Sequence, residues 1–274
     1  MNIRTNFRKH IARTIAVGVA LATVGVAANV APAHAAAKCS STVDCIGAIN
    51  IAQQLPGDVA IPTFKFNTTV PTKATMTIKL NGAIVSKRVE SSYTTSHTWW
   101  YMNGLQQGAS YTFHVSALAQ DGTSRGESTN FRAMQRKIVI TIERAVIHND
   151  SDPVGNGELQ MFADAAGQYI GGTAEQSKGD GSTITFGKSI TLYKAKSQVK
   201  VDVAVRDNDC TYLCYAAPYT ELKVIDTTDW EQGYGYKVLS GLQLPGYATD
   251  VPFSITSSGP VKFTAYGRYT LTVG

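Results

Sequence analysis

The stretch KATMTIKLNGAIVSKRVE, residues 73–90, decides the fold class of this chain. In its first half, apolar side chains occupy alternate positions, and a period of two is typical of a β-strand that buries one face. Asn81 and Gly82 follow, and this dipeptide favours the two-residue turn of a β-hairpin. The segment AIVSKRVE then returns as the partner strand. The stretch therefore predicts antiparallel β structure.

Similar strand patterns, separated by turn residues, continue along the chain. Examples are IPTFKFNTT at 61–69, YTFHVSALA at 111–119, QVKVDVAVRD at 198–207 and PVKFTAYGRYTLTV at 260–273. No span has the 3.6-residue periodicity of a long amphipathic helix. The 239 residues after position 35 exceed the ~100 residues of one β-sandwich and suit two.

One segment, NGLQQGASYTFHVSALAQDGTSRGESTNFRA at 103–133, resembles the late strands of fibronectin type III modules. The resemblance is carried by Leu105, Gly108 and Tyr111, followed by a glycine-bearing turn and a last strand. It implies a tyrosine corner, in which the Tyr111 hydroxyl bonds to backbone near Leu105. It also implies polysaccharide as a ligand, because such modules accompany polysaccharide hydrolases in exported bacterial proteins.

We therefore predict an all-β chain of two β-sandwich modules. The first, fibronectin type III or immunoglobulin-like, spans residues 58–135, and a second antiparallel sandwich spans 136–274. Residues 36–57 are predicted to be a linker or N-terminal cap, in which CIGAINIAQQL could form one helical turn. The placement of strands between 226 and 253 stays open.

The first 35 residues have the features of a cleavable secretory signal peptide. Four basic residues and no acid precede an apolar run at 15–31, and Ala33-His34-Ala35 has the small, any, small pattern of a cleavage site. We predict a secreted, extracellular protein, and the alanine-rich leader favours a bacterial source. The alternative is a membrane anchor, but the run falls short of the ~20 strongly apolar residues that a span needs. No second apolar run follows, so we predict no membrane span in the mature chain.

The charge balance argues against a nucleic-acid partner. The chain has 25 basic and 20 acidic residues, and four of the basic ones lie in the leader. The mature chain is therefore close to neutral, without the basic stripe that contacts to phosphate require.

The four cysteines fall into two close pairs, Cys39 with Cys45 and Cys210 with Cys214. An even number of cysteines in an exported protein predicts two local disulfides. Neither pair has the CxxC spacing of a redox motif. A zinc site is the alternative, and it would require the two pairs to meet in space.

Two acidic loops follow strand patterns in the second module. They contain Asp150, Asp152 and Glu158, and then Asp207 and Asp209. The arrangement is similar to calcium-binding C2 domains, and the resemblance implies that these carboxylates hold calcium, which prefers ~6 to 8 oxygen ligands. Aspartate is also an ordinary turn residue, so solvated turns are the alternative.

An aromatic run supplies the candidate ligand contact. Counting back from Leu105 with the strand period points Trp100 inward and leaves Trp99 and Tyr101 outward. Two outward rings could stack on a sugar, or the neighbouring module could cover them.

Catalytic motifs are missing from the sequence. The predicted mature chain keeps His97, His114 and His148, with no nucleophile elbow, metalloprotease motif or phosphate loop. We therefore predict a secreted binding or accessory protein, calcium-stabilised and associated with polysaccharide. The alternatives are a hydrolase with a site between the modules and a secreted protein-interaction or inhibitor module.

Overall fold

The computed structural model describes residues 39–40, 44–151, 156–207, 232–242 and 248–274. These residues form sixteen β-strands and no helix, which confirms the all-β prediction. Within these ranges, no helix is long and apolar enough to cross a membrane. The predicted leader at 1–35 lies outside the described residues.

The first sandwich contains the first seven strands. They are β1 (Asn50–Gln54), β2 (Val59–Leu80), β3 (Ala83–Val89), β4 (Thr94–Trp100), β5 (Leu105–Gln106), β6 (Ser110–Ala119) and β7 (Ser124–Arg132). The first half of β2 pairs with β1, β4 and β5, and its second half pairs with β3 and β6, which pairs with β7. Phe64 of one half stacks on Phe113 of β6 with ring centroids 4.1 Å apart. The two layers therefore pack face to face.

Strand β2 passes from one layer to the other near its middle. Its pairing with β4 is interrupted between Asn67 and Thr72. Pro71 lies in this interval and has no N–H to donate to a neighbouring strand. The Thr68 hydroxyl donates to the carbonyl of Val70 at 2.8 Å. The strand patterns at 61–69 and 73–80 are therefore not separated by a turn: the chain stays extended and changes partners.

Two local predictions about the first sandwich are confirmed. Asn81 and Gly82 have φ values of 51° and 84°, the left-handed conformations that a type I′ hairpin turn requires. The Tyr111 hydroxyl accepts a hydrogen bond from the backbone N–H of Gln106 at 3.0 Å. This bond lies one residue after Leu105, where the tyrosine corner was expected.

The segment predicted as a linker, residues 36–57, belongs to the first sandwich wherever it is described. β1 pairs with β2, and Ile46 and Leu55 are buried in the core. Cys39 and Cys45 are also buried there and form the predicted disulfide. The helical turn was wrong, because an extended segment covers the edge of β2 with backbone hydrogen bonds, which one helical turn cannot do.

The second sandwich contains nine strands in the described ranges. They are β8 (Arg136–Asn149), β9 (Gly157–Ala165), β10 (Gln168–Gly172), β11 (Gln176–Lys178), β12 (Thr183–Tyr193), β13 (Val199–Asp207), β14 (Gln232–Leu239), β15 (Ala248–Thr256) and β16 (Lys262–Val273). One sheet has the order β10-β9-β13-β14 with β11 beside β9, and the other has the order β12-β8-β16-β15. Their inward residues, including Ile140 and Val203, form one core. This confirms a second antiparallel sandwich.

The two sandwiches meet at Arg136, which is fully buried. Its guanidinium donates to the carbonyls of Leu242 at 2.6 Å and Ala195 at 2.8 Å in the second sandwich. It also donates to Gly57 at 3.0 Å and Leu55 at 3.5 Å, just before β2. Carbonyl oxygens from both modules therefore surround this cation.

Gln107 and Asp58 complete the junction. The Gln107 side chain accepts the Arg136 backbone N–H at 2.8 Å and donates to the carbonyl of Asp58 at 3.0 Å. The Asp58 carboxylate accepts the Ser197 N–H at 2.6 Å and lies 3.8 Å from the guanidinium. Burial lowers the pKa of Arg136, and the charge of Asp58 opposes this shift. The modules are joined by a hydrogen-bonded contact.

Candidate functional site

The aromatic run on β4 points the opposite way from the prediction. Trp99 is only 6% exposed and packs near Phe64 and Phe113, at centroid distances of 5.8 and 6.3 Å. Trp100 is 65% exposed. Tyr101 is half-buried with its ring edge-on to Trp99.

The prediction of side-chain direction failed because a turn lies between β4 and Leu105 of β5. The prediction extended the strand period backwards from Leu105, but β4 ends at Trp100 and residues 101–104 form a turn. Gly104 has φ 75°, a left-handed conformation that breaks the alternation. The outward assignment of Trp99 and Tyr101 was therefore wrong, and the exposed ring belongs to Trp100.

Trp100 lies on the outward side of β1, β2 and β4. This surface, the Trp100 face, consists of Asn50, Ala52, Thr63, Lys65, Asn67, Ser96, Thr98 and Trp100. Lys65 lies directly between Asn50 and Thr98 in the strand register, and Thr63 lies beside Trp100. All members except the half-buried Thr63 are exposed. The surface therefore combines one large ring with amide, hydroxyl and ammonium groups.

A depression of about 480 Å³ lies on the same face, lined as far as Thr98, two residues before Trp100 on β4. Its lining includes the face residues Asn50, Lys65, Asn67, Ser96 and Thr98. Volumes of about 300 to 1,000 Å³ are usual for small-molecule sites. Amides and hydroxyls can donate to and accept from sugar hydroxyls, while an indole offers a flat apolar surface.

A polar network beneath this face was missed by the sequence analysis. His97 is buried, with Nδ1 at 2.6 Å from Glu90 Oε2 and Nε2 at 3.1 Å from the Thr72 hydroxyl. Hydroxyl, imidazole and carboxylate follow the order of a hydrolase triad. Thr72 is fully buried, however, and its hydroxyl also contacts that of Thr68. A substrate carbonyl cannot reach Thr72, so the network is structural.

The sequence carried one signal for this network. His97 is two residues before Trp99, and the strand period gives both side chains the same direction, so the outward assignment of Trp99 concealed that His97 points inward. The other two histidines of the described residues lie on outward sheet faces, where the half-buried His114 bonds to Ser128 and the exposed His148 to Thr264.

The acidic loops of the second sandwich are described in part. Asp150 follows β8, Asp207 ends β13, and both are buried. The N–H of Gly157 donates to Asp150 at 3.3 Å, and a Cβ at Gly157 would lie 2.8 Å from Asp207 Oδ2. Glu158 points to solvent. Asp180, which the sequence analysis did not single out, accepts the Asp150 N–H at 3.0 Å.

Calcium therefore stays a prediction at this end of the sandwich. The structure places Asp150 and Asp207 around the same glycine, and these hard oxygen donors suit calcium. Within the described ranges, no group of three or more His, Cys, Asp or Glu side chains could hold a metal ion. Asp152, Asp209 and the Cys210–Cys214 pair lie outside those ranges.

A second acidic pair lies on the outer side of the five-stranded sheet. Asp164 of β9 is directly opposite Asp202 of β13. Burial, followed by the charge of Asp202, raises the pKa of Asp164 to about 6. Lys200 Nζ lies 2.6 Å from Asp202, and the Tyr234 hydroxyl donates to the same carboxylate. The hydrogen bond to Asp202 in turn raises the pKa of Lys200.

Comparison with known proteins gives only distant structural likeness. No protein-family model matches the chain, and no curated protein matches it. The chain is similar to a C2 domain protein from Ramazzottius varieornatus, whose crystal structure aligns at 11% identity and a TM-score of 0.30, covering 50% of this chain and 88% of that chain. A likeness at this level carries no argument, so the assignment of two β-sandwiches rests on the sheets themselves.

Proposed function

We propose that this chain is an exported, non-catalytic binding protein that holds polysaccharide on the Trp100 face. The observation that carries the proposal is an indole that is 65% exposed within a sheet surface of amides and hydroxyls. Monomeric proteins expose isolated apolar side chains routinely. A ring on the same sheet face as a polar depression of sugar size is a more specific arrangement.

The architecture supports a fibronectin type III-like first module. Two antiparallel layers enclose one core, and the Tyr111 hydroxyl makes the bond expected of a tyrosine corner. Modules of this family present loops and sheet faces on a rigid scaffold, which suits an accessory role. No reaction is required by the proposal.

The energetic contribution of Trp100 follows from the area that a sugar would cover. Covering about 100 Å² of the indole at about 25 cal/mol per Å² contributes about 2.5 kcal/mol, or roughly 70-fold in affinity. Part of this is offset by ordering of the glycan, so a loss of about tenfold is expected when the ring is removed.

Affinity electrophoresis of the protein through gels that contain soluble polysaccharides tests the proposal. Trp100→Ala should weaken the retardation, with an affinity about tenfold lower than that of the unaltered protein. The matched control is Tyr193→Ala, which removes a ring that is 64% exposed on the second sandwich. Equal retardation of the unaltered protein and Trp100→Ala, or no retardation in any polysaccharide, would refute the proposed function.

Calcium binding at the Asp150 and Asp207 end is a second candidate. Both carboxylates are buried around Gly157, and a ligand that binds only the native state raises its unfolding midpoint. We expect calcium to raise Tm relative to chelator, and Asp207→Asn to remove the difference. Asp250→Asn, at an exposed carboxylate, should retain it. The same midpoint for the unaltered protein with calcium and with chelator would exclude a stabilising site.

A further inference from the structure

Lys65 has a central place on the Trp100 face. It lies across from Thr98 on β4, and Trp100 is two residues further along that strand on the same side. Diagonal neighbours of this kind are about 7 to 8 Å apart, within reach of a long side chain. Lys65 also lines the depression. Its ammonium can therefore approach a sugar that rests on the indole.

The Trp100 face carries one positively charged side chain and no negatively charged one. Lys65 is the only charged residue of the eight that form it. Among the described residues Lys65 makes no ion pair, whereas Lys200 lies 2.6 Å from Asp202 and Arg268 lies 2.5 Å from Glu143. The face thus offers an uncompensated positive charge beside its single large ring.

We infer that the Trp100 face selects polysaccharides that carry an anionic group on the sugar, with Lys65 binding that group while the ring lies on Trp100. The inference rests on the proposed function and names its ligand class. A uronate carboxylate and a sugar sulfate have the same chemistry toward an ammonium. A neutral glycan would leave Lys65 without a partner.

The test compares two forms of one polymer, polygalacturonate and its methyl ester, which differ in charge and share the sugar. We expect the protein to bind polygalacturonate at least fivefold more tightly than the ester. Lys65→Gln should reduce affinity for polygalacturonate about fivefold, the value of an ion pair of about 1 kcal/mol, and leave the ester unaffected. Lys65→Arg should retain the preference. Comparing the affinity for dextran sulfate with the affinity for dextran tests whether a sulfate can replace the carboxylate.

Lys87→Gln is the matched control, because Lys87 is exposed on β3, outside the Trp100 face. Equal binding of both polymers with loss in Trp100→Ala would overturn the anionic preference and leave the proposed function intact. Absence of binding to every polysaccharide would overturn both. Equal losses in the Lys65 and Lys87 variants, or equally tight binding to duplex DNA, would indicate non-specific attraction and overturn the role of Lys65.

Discussion

The two sandwiches bury polar side chains in opposite ways. In the first, His97 lies between the Glu90 carboxylate and the Thr72 hydroxyl, so donors meet acceptors. In the second, Asp164 faces Asp202 directly across two strands, so two groups of the same charge meet. Like charges directly opposite in a sheet are destabilising. Complementary contacts stabilise the first network, whereas in the second a proton on Asp164 relieves the repulsion only below about pH 6.

The junction provides a third case, in which a cation is surrounded by carbonyls. Arg136 is as deeply buried as His97, but its partners come from two modules. Breaking a buried polar contact leaves the remaining partners without water or hydrogen bonds. The three sites therefore predict three different responses to substitution.

The largest effect is expected at the junction. Arg136→Met removes the donor to as many as four carbonyls, and the unfolding free energy should fall by about 4 kcal/mol. The matched control is Arg132→Met, at an exposed arginine that donates to one carbonyl, with an effect of at most about 1 kcal/mol. Urea unfolding measures both. Similar losses of unfolding free energy in the two variants would show that the four carbonyls around Arg136 do not make this arginine more stabilising than an exposed one.

An intermediate effect is expected at His97. His97→Phe keeps the ring that stacks on Phe66 but leaves Glu90 with only the long bond from the Ala74 N–H, and we expect a loss of about 3 kcal/mol. Glu90→Leu in the same chain should recover much of that loss, because removing both partners leaves neither unsatisfied. A double-mutant cycle measures the coupling. Simple additivity of the two substitutions would contradict a shared network.

The smallest effect, and the one opposite in sign, is expected at Asp164. Its folded pKa of about 6 lies above the ordinary value of 3.8, so its favourable contribution is present below the ordinary pKa and is lost as pH rises through about 6. Asp164→Asn imitates the protonated group and should stabilise the protein by roughly 1 kcal/mol near neutral pH.

Thermal unfolding at pH 4.5 and pH 7.5 separates this effect from general acid sensitivity. The gain from Asp164→Asn should be larger at the higher pH, while Asp250→Asn should show no such trend. The groups that face Asp164 are Asp202, Lys200 and Tyr169. A gain that is independent of pH would show that repulsion from Asp202 is not its cause.

Sequence reasoning succeeded where neighbouring residues determine the structure. Asn81-Gly82 specifies its turn because both residues tolerate left-handed backbone angles, and Tyr111 lies only five residues from its bonding partner. The direction of Trp99 failed because a four-residue turn separates it from Leu105, and a period cannot be carried across a turn.

The remaining features depend on register between distant strands. Asp164 and Asp202 meet because β9 pairs with β13, 38 positions along the chain. Nothing local specifies that pairing. The Trp100 face has the same origin, since Lys65 reaches its place through the pairing of β2 with β4. Strand assignment alone therefore predicted two sandwiches but not the surface of either one.

Sandwich modules are commonly exchangeable parts of multidomain proteins, and the four carbonyls around Arg136 restrict that exchange here. A recombination event that joined β8 to another N-terminal module would bring a buried cation without the carbonyls of Leu55 and Gly57. The incoming module would also need an amide in the place of Gln107. The two sandwiches should therefore be inherited as a pair, and their sequences should change together at this junction.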